Sequence, residues 1–345
     1  MKRKIGILCF WGVPNYGAWA QAYALNNVVR EMVEEKDDVR HIAYLTPRHH
    51  SLYYEKDERL YNSFNYSYQL IPHTQQLDAT KLEAEEFDVI ITGSDAIWEF
   101  SVKEMGDDYH LIGNNLNTKQ LFAYAPSFGT MSKDMEFKDW IISGLHNYND
   151  ITVRDTNSVE LVQQLIGRKP SIVLDPVLLW DFNNDENVIS PTYQSYIAVY
   201  GVQWDEEFIK EAISFAREKG YKLISIGFVN DWCDMSLRMI ELRGLEWIGM
   251  IKHAEYVFTS TFHGLMFSLV FKKQFKFNRV SYVRNRSESL LQVLKGGMEV
   301  YLQNEYEYKK IFEDEVDYNE ISFNLKRLRE ESKKCLREML GDESI

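Results

Sequence analysis

The sequence is poor in cysteine, in long apolar runs and in positive charge, and each shortage excludes a class of protein. Its 345 residues include three cysteines, which lie far apart and form no CxxC pair. We therefore expect neither a disulfide framework nor a structural zinc site, and a reducing cytoplasm fits. No apolar run reaches the roughly 18 residues that a membrane-spanning helix needs. The net charge of −13 argues against a general nucleic-acid surface and against binding to an anionic membrane face.

Glycine-rich nucleotide-binding loops are also missing. Residues 5–10 are apolar and predict a buried strand, which a Gly- and Pro-containing turn and an amphipathic helix over residues 18–35 follow. We interpret the apolar N-terminus as this strand rather than as a signal peptide, because Pro14 cuts it short and no cleavage site follows. The turn contains neither GxGxxG nor a P-loop, so a nicotinamide cofactor or ATP is not supported.

Strands alternate with helices along most of the chain, which predicts parallel sheets. A polar stretch over residues 179–194 divides this pattern into two series. We therefore predict an α/β fold with two Rossmann-like domains, residues 1–182 and 195–318, whose sheets face a cleft. A C-terminal helix over residues 319–345 either packs back on the first domain or touches a membrane with its basic face.

One segment of the first domain departs from this alternation. Residues 48–76 are polar, rich in tyrosine and without clear periodicity. They predict a long irregular excursion, and loops of this length are often functional. Whether the excursion closes over a substrate is open.

The most informative stretch is residues 251–271. A predicted strand over residues 256–261 ends in a small polar cluster with His263, and Gly264 begins an apolar helix. Ligands bind at the carboxyl edge of such sheets, and a helix N-terminus there suits an anion.

Seven short motifs, in order from about residue 4 to 291, resemble those of one known family, the polysaccharide pyruvyl transferases. They are Asn15-Tyr16-Gly17-Ala18 with Gln21 and Ala22; Gly93-Ser94-Asp95-Ala96-Ile97-Trp98; Tyr124-Ala125-Pro126-Ser127-Phe128-Gly129; Val153-Arg154-Asp155 with Ser158; Val173-Leu174-Asp175-Pro176; Thr259-Ser260-Thr261-Phe262-His263-Gly264 with Ser268 and Phe271; and Asn285-Arg286 before Leu290-Leu291. The resemblance implies a GT-B-like fold, similar to that of many glycosyltransferases. It also implies transfer of pyruvate from phosphoenolpyruvate, as a ketal, to a sugar of a cell-surface polysaccharide or its lipid-linked precursor.

The resemblance and the chemistry of phosphoenolpyruvate together select candidate site residues. His263 is our first candidate for proton transfer because imidazole works in both directions near neutral pH; a structural histidine bonded to a turn carbonyl is the alternative. Arg154 is the best clamp for phosphate or carboxylate, with a surface ion pair to Asp155 or to a neighbouring acidic helix as the alternative. Arg286 is a second clamp or a solvated loop residue, and Arg279 and Arg284 are its nearest rivals.

The first domain is expected to hold the acceptor and the second the donor. Asp95 would act as a base or accept sugar hydroxyls, and a helix N-cap is equally plausible. Asp175, before a proline, is more typical of a structural turn. The remaining predicted substrate contacts are Asn15, Tyr16, Ser94, Ser127, Thr261 and Gly264.

We expect phosphoenolpyruvate and a glycan or lipid-linked saccharide as partners, with no nucleic acid. No His, Asp and Glu cluster has the spacing of metal ligands, so we expect no metal and no cofactor besides the donor. The protein would be cytoplasmic, or at the inner face of the membrane through peripheral contact with its acceptor. Relatives with established pyruvyl transfer carry Arg where this chain has Thr261. A nucleotide-sugar glycosyltransferase and a non-catalytic glycan-binding protein therefore remain alternatives, and the acceptor sugar and oligomeric state stay open.

Overall fold

Two α/β units make up the chain in the computed structural model, which describes residues 2–303 and 307–341. The first unit comprises the chain up to Trp180 together with the segment that begins at Leu328, and the second runs from Asp181 to Arg327. The division therefore lies two residues before the predicted boundary at residue 182. Residues 342–345 of the predicted C-terminal helix lie outside the described residues.

The first unit contains a six-stranded sheet in the order β2-β1-β3-β4-β5-β6, and all neighbouring strands run parallel. Its strands are β1 Lys4–Leu8, β2 Asp38–His41, β3 Phe87–Thr92, β4 Thr118–Ala123, β5 Asp150–Val153 and β6 Ser171–Ile172. Strand order reverses between β1 and β3. In open α/β sheets this switch point leaves a crevice at the carboxyl ends of the strands.

The second unit contains a five-stranded parallel sheet in the order β11-β10-β7-β8-β9. Its strands are β7 Tyr196–Tyr200, β8 Lys222–Gly227, β9 Met235–Arg238, β10 Tyr256–Thr259 and β11 Gln274–Phe277. Here the order reverses between β7 and β10. The stretch singled out in the sequence therefore leaves the sheet at its switch point.

Twelve α-helices occur in the described residues. They are α1 Tyr16–Met32, α2 Pro47–His49, α3 Glu58–Tyr68, α4 Ala79–Ala84, α5 Asp139–His146, α6 Thr156–Ile166, α7 Glu206–Lys219, α8 Gly244–Lys252, α9 Phe262–Val270, α10 Ser281–Leu294, α11 Tyr308–Glu313 and α12 Tyr318–Leu340. None of them has the length and apolar character needed to cross a membrane.

The predicted irregular excursion over residues 48–76 is wrong, because most of this segment is helical. It contains the end of α2, a π-helical segment, His50–Tyr54, and α3. Asp57 caps α3 by accepting a hydrogen bond from the Leu60 amide at 2.9 Å. Tyr61, Phe64 and Tyr68 recur at helical spacing and are buried, so tyrosines that look polar in the sequence form the apolar stripe of a helix.

The last turns of α12 contact the first unit through specific hydrogen bonds. The Ser332 hydroxyl accepts a bond from the Leu174 amide at 2.9 Å. Arg329 donates to the Leu178 carbonyl at 2.5 Å, and Arg3 donates to the Leu340 carbonyl at 2.6 Å. The bonds of Ser332 and Arg329 fix this part of α12 beside the Val173–Pro176 motif, so the helix from Leu328 onward belongs to the first unit.

Candidate functional site

The switch point of the first sheet is held together by a buried glutamine. Gln21 on α1 accepts hydrogen bonds from the Ser94 amide at 3.2 Å and the Ser94 hydroxyl at 2.8 Å. Its own amide group donates to the Ala18 carbonyl at 2.8 Å. Both Gln21 and Ser94 are fully buried. The Ser94 hydroxyl, predicted to contact substrate, therefore positions the turn after β3.

Three motifs meet in a buried ion cluster at the same edge. Arg154 follows β5 and donates one hydrogen bond to Asp95, at 2.9 Å, and another to Asp175, at 2.7 Å. The side chains of Arg154 and Asp175 are each 1% exposed, and that of Asp95 is 11% exposed. Asp95 is thus the member of this cluster that reaches solvent.

A third carboxylate lies close to this guanidinium. Asp155 is 1% exposed and caps α6 by accepting a hydrogen bond from the Ser158 amide at 2.8 Å. Burial opposes the charge of Arg154, but the nearby carboxylates of Asp95, Asp175 and Asp155 outweigh it and raise the pKa of the guanidinium. The positive charge of Arg154 is therefore already offset inside the protein.

This geometry corrects two of the alternatives for the cluster. Arg154 is not a surface ion pair, because its side chain is buried. Asp95 is not a helix N-cap, because no helix begins at the residues that directly follow it. Its carboxylate accepts hydrogen bonds from the Ala96 amide at 2.8 Å and from Arg154. An anion that used Arg154 as a clamp would compete with two carboxylates. The contacts therefore favour Arg154 as the residue that orients Asp95.

The other first-unit candidates hold local structure. Ser127 is fully buried, and its hydroxyl accepts from the Gly129 amide at 2.9 Å. Tyr16 is also fully buried, with its ring centroid 5.1 Å from that of Phe64. Asn15 is exposed and caps α1 by accepting from the Ala18 amide at 3.1 Å. Among these three residues, Asn15 is the one whose position leaves it open to a ligand.

Cys9 and Gln21 belong to this site, although sequence reasoning gave them no role. The Cys9 thiol donates to the Ser94 carbonyl at 3.1 Å, and the Gln21 amide lies 2.9 Å from the same sulfur. Burial, followed by the charge of Asp95, raises the pKa of the Cys9 thiol. Cys9 is therefore an inert packing residue. The sequence feature that could have identified Gln21 as a site residue is its place in the first motif.

In the second unit, the switch point carries the first turn of α9. The helix begins at Phe262, two residues earlier than predicted, so His263 lies inside its first turn and is 8% exposed. Thr261 caps the helix by accepting a hydrogen bond from the Gly264 amide at 3.0 Å. At Gly264, an added Cβ would stand 2.0 Å from the Thr259 hydroxyl oxygen. Glycine is thus required for α9 to approach β10.

Hydrogen bonds join the loops around this turn. The Thr259 hydroxyl donates to the Tyr200 carbonyl at 2.7 Å, and the Ser260 hydroxyl donates to the Val202 carbonyl at 2.7 Å. Asn278, after β11, donates to the Gln203 carbonyl at 3.3 Å. The segments that follow the adjacent strands β7, β10 and β11 are therefore hydrogen-bonded to one another, and His263 lies in the helix that begins among them.

The cations of the second unit occupy different environments. Lys276 is buried and donates to the carbonyls of Ile311 at 2.7 Å and Asp314 at 2.5 Å; burial lowers the pKa of its amine to about 8. Arg279 is buried and donates to the Gln303 carbonyl at 3.1 Å. Arg286 lies on α10 and is half-buried, so its interpretation as a loop residue is wrong.

The described part of the chain contains no candidate metal site. No group of three or more His, Cys, Asp or Glu side chains has the arrangement needed to hold a metal ion there.

Comparisons with known proteins identify both a family and a fold. The model of a family described as polysaccharide pyruvyl transferase matches residues 15–275. No curated protein matches the chain.

Solved structures with similar folds include three UDP-GlcNAc 2-epimerases. That from Neisseria meningitidis, bound to UDP-GlcNAc, has a TM-score of 0.51 and 8% identity, with 99% of each chain covered. That from Rickettsia bellii has a TM-score of 0.51 and 12% identity, covering 99% of this chain and 96% of its own. That from Methanocaldococcus jannaschii has a TM-score of 0.51 and 11% identity, covering 96% and 99%. The predicted GT-B-like α/β fold is confirmed.

Proposed function

The chain belongs to the polysaccharide pyruvyl transferase family, and on that premise we propose that it transfers pyruvate from phosphoenolpyruvate to a sugar of a cell-surface polysaccharide or its precursor. The observation that carries this proposal is the extent of the family match. Residues 15–275 include the Asp95–Arg154–Asp175 cluster and the turn from Thr259 to Gly264. Both the ion cluster and this turn therefore come from the matched region.

The reaction determines what these residues must do. A proton is added to the methylene carbon of phosphoenolpyruvate while one sugar hydroxyl attacks C2 and loses its proton. A second hydroxyl then displaces phosphate from C2 and its proton leaves with the phosphate, so the products are a cyclic ketal and hydrogen phosphate. The site must therefore bind a phosphate and a carboxylate, supply one proton and accept another.

In this proposal the second unit binds the donor. The first N–H groups of α9 and the helix dipole attract an anion, and His263 in the same turn delivers the proton. Thr261 supplies no cation where relatives carry Arg, because threonine is neutral; its hydroxyl caps the helix instead. Arg286 on α10 is our candidate for the missing positive charge.

The first unit, in turn, handles the acceptor. Asp95 accepts the hydroxyl proton, because it is the solvent-reaching carboxylate of its cluster. Arg154 acts as a positioning residue that holds one Asp95 oxygen at 2.9 Å. Asn15, exposed at the start of α1, contributes a polar contact to the sugar.

A thermal-shift titration with phosphoenolpyruvate, UDP and UDP-sugars tests the donor. Binding to the native state stabilises it by about 2.7 kcal/mol at a ligand concentration of 100 Kd, so we expect phosphoenolpyruvate to raise the melting temperature. A shift with UDP or a UDP-sugar alone would support a glycosyltransferase instead. A shift with none of them would support a non-catalytic glycan-binding protein.

A substitution at His263 tests the chemistry. We expect His263→Gln to abolish pyruvate transfer to an extracted surface-glycan precursor, followed by mass spectrometry, while the melting temperature stays within a few degrees. The matched control is His253→Gln, which changes an exposed histidine of the same unit and should retain activity. Undiminished transfer by His263→Gln would remove this residue from the mechanism.

A further inference from the structure

A cavity of about 290 Å³ lies in the first unit, outside the clusters described so far. Its walls include Tyr44, which follows β2, Arg48 on α2, and Met105 and Tyr109 from the segment between β3 and β4. We name it the Tyr44 pocket. Small-molecule sites usually measure roughly 300–1,000 Å³, so this one has the size for a single small ring rather than for an extended chain.

The polar wall of the Tyr44 pocket is a fixed network around His110. One ring nitrogen of His110 lies 2.8 Å from Asp108, and the other lies 3.0 Å from Glu83. The Tyr44 hydroxyl donates to the second oxygen of Asp108 at 2.6 Å. Because both ring nitrogens face carboxylates, the imidazolium form satisfies the network. Burial opposes that charge, but the hydrogen bonds to Asp108 and Glu83 outweigh it and raise the pKa of His110.

The charges around the Tyr44 pocket have partners within the protein. Asp107 accepts from Lys138 at 2.5 Å, and Arg48 donates to the Lys103 carbonyl at 2.9 Å. The charged side chains that line the pocket are two potential cations, Arg48 and His110, and two carboxylates, Asp107 and Asp108. A charged ligand would disturb this balance, whereas a neutral one can use the remaining lone pairs of the carboxylates.

Tyr109 adds an aromatic surface at the edge of the cavity. It is 36% exposed, and its ring centroid lies 4.4 Å from that of His110. The His110 contact covers part of the ring and fixes its orientation. A rigid tyrosine with one apolar face and a polar tip suits a ligand that has both C–H faces and hydroxyl groups.

We propose that the Tyr44 pocket binds one neutral sugar residue of the acceptor glycan. Its cavity volume, balanced charge, carboxylate oxygens and exposed Tyr109 ring together fit a single pyranose ring. The identification of that sugar with the acceptor rests on the proposed function, but sugar binding itself does not. The anionic donor does not suit the pocket, because the carboxylates of Asp107 and Asp108 line it and would repel a phosphate or carboxylate.

Saturation-transfer NMR on the full chain tests the pocket with the methyl glycosides of glucose, galactose, mannose and N-acetylglucosamine, and with methyl glucuronide as the charged comparison. We expect at least one neutral glycoside to bind and the glucuronide to bind more weakly than the glucoside. Tyr109→Ala should weaken binding about fivefold, as expected for loss of about 1 kcal/mol of ring contact. The matched control is Tyr193→Ala, which removes a ring that is also 36% exposed but lies in the second unit, and it should bind normally.

A second variant separates loss of the site from loss of the fold. Ala79→Phe fills the cavity from the start of α4 and should abolish binding without removing any existing contact. Saturation transfer from no neutral glycoside, binding that survives both Tyr109→Ala and Ala79→Phe, or preference for glucuronide would each overturn the proposal. If sugar binds here while phosphoenolpyruvate gives no thermal shift, the pyruvyl transfer proposal fails and the pocket stands.

Discussion

Replacement of Arg154 by methionine is the most direct test of the first-unit site. The substitution keeps much of the side-chain volume but removes the guanidinium, which leaves Asp95, Asp155 and Asp175 without their central cation. Their environment is at most 11% exposed, so water can compensate little of the charge. Removing one partner of a buried ion pair destabilises a protein by about 3–5 kcal/mol. We expect a loss of this size in the free energy of unfolding at pH 7.

Denaturant unfolding monitored by circular dichroism measures this loss. Because protonation of the carboxylates removes the unbalanced charge, the difference between wild type and Arg154→Met should shrink as the pH is lowered from 7 towards 5. Addition of Asp175→Asn should restore part of the stability of Arg154→Met, and a double-mutant cycle then isolates the coupling between the two side chains.

The control for this experiment is Arg238→Met. Arg238 pairs with Glu241 at 3.0 Å, but the two side chains are 65% and 44% exposed. Exposed pairs contribute about 0–1 kcal/mol, so this variant should unfold almost like the wild type at both pH values. An Arg154→Met variant that behaves like Arg238→Met, or whose destabilisation does not change with pH, would refute the ion-cluster interpretation.

Two further predictions concern stability. Burial lowers the pKa of His41 to about 3, so the folded state keeps this histidine neutral while the unfolded chain protonates it below about pH 6.5. The free energy of unfolding should therefore fall as the pH falls, by about 2 kcal/mol at pH 5. Urea unfolding of His41→Phe should show a smaller loss over the same pH range than the wild type. Gly264→Ala places a Cβ 2.0 Å from the Thr259 hydroxyl and should destabilise the protein by about 1–3 kcal/mol; a melting temperature equal to that of the wild type would contradict this packing.

Local sequence patterns predicted the type of fold but not the order of its strands. Alternating strands and helices indicated parallel sheets, and the structure contains two of them. That β10 lies beside β7 rather than beside β9 depends on crossover direction, which leaves no periodic signal in the sequence. The prediction that His263 follows a strand was sound, yet its position at the switch point of the sheet required the coordinates.

Long-range partners were the main feature that the sequence did not reveal. Arg154 binds Asp95, which is 59 residues away, and Asp175, which is 21 residues away. In the sequence the carboxylate nearest to Arg154 is that of Asp155, so neighbouring residues alone suggest a surface pair. The motif pattern placed each residue at a strand end. It could not show that the three meet, because the contact is made by the sheet and not by the spacing.

The distribution of charge explains why the helix terminus is central to the proposed donor site. The chain has a net charge of −13, and a ligand with a phosphate and a carboxylate needs a local excess of positive potential. Arg154 is offset by the carboxylates it contacts, and Lys276 donates to two backbone carbonyls while burial lowers the pKa of its amine to about 8. The positive end of the α9 dipole differs from these side chains, because it arises from backbone N–H groups and does not change with pH. Donor affinity should therefore depend on the first turn of α9, with Arg286 as the added cation, and less on the buried Arg154.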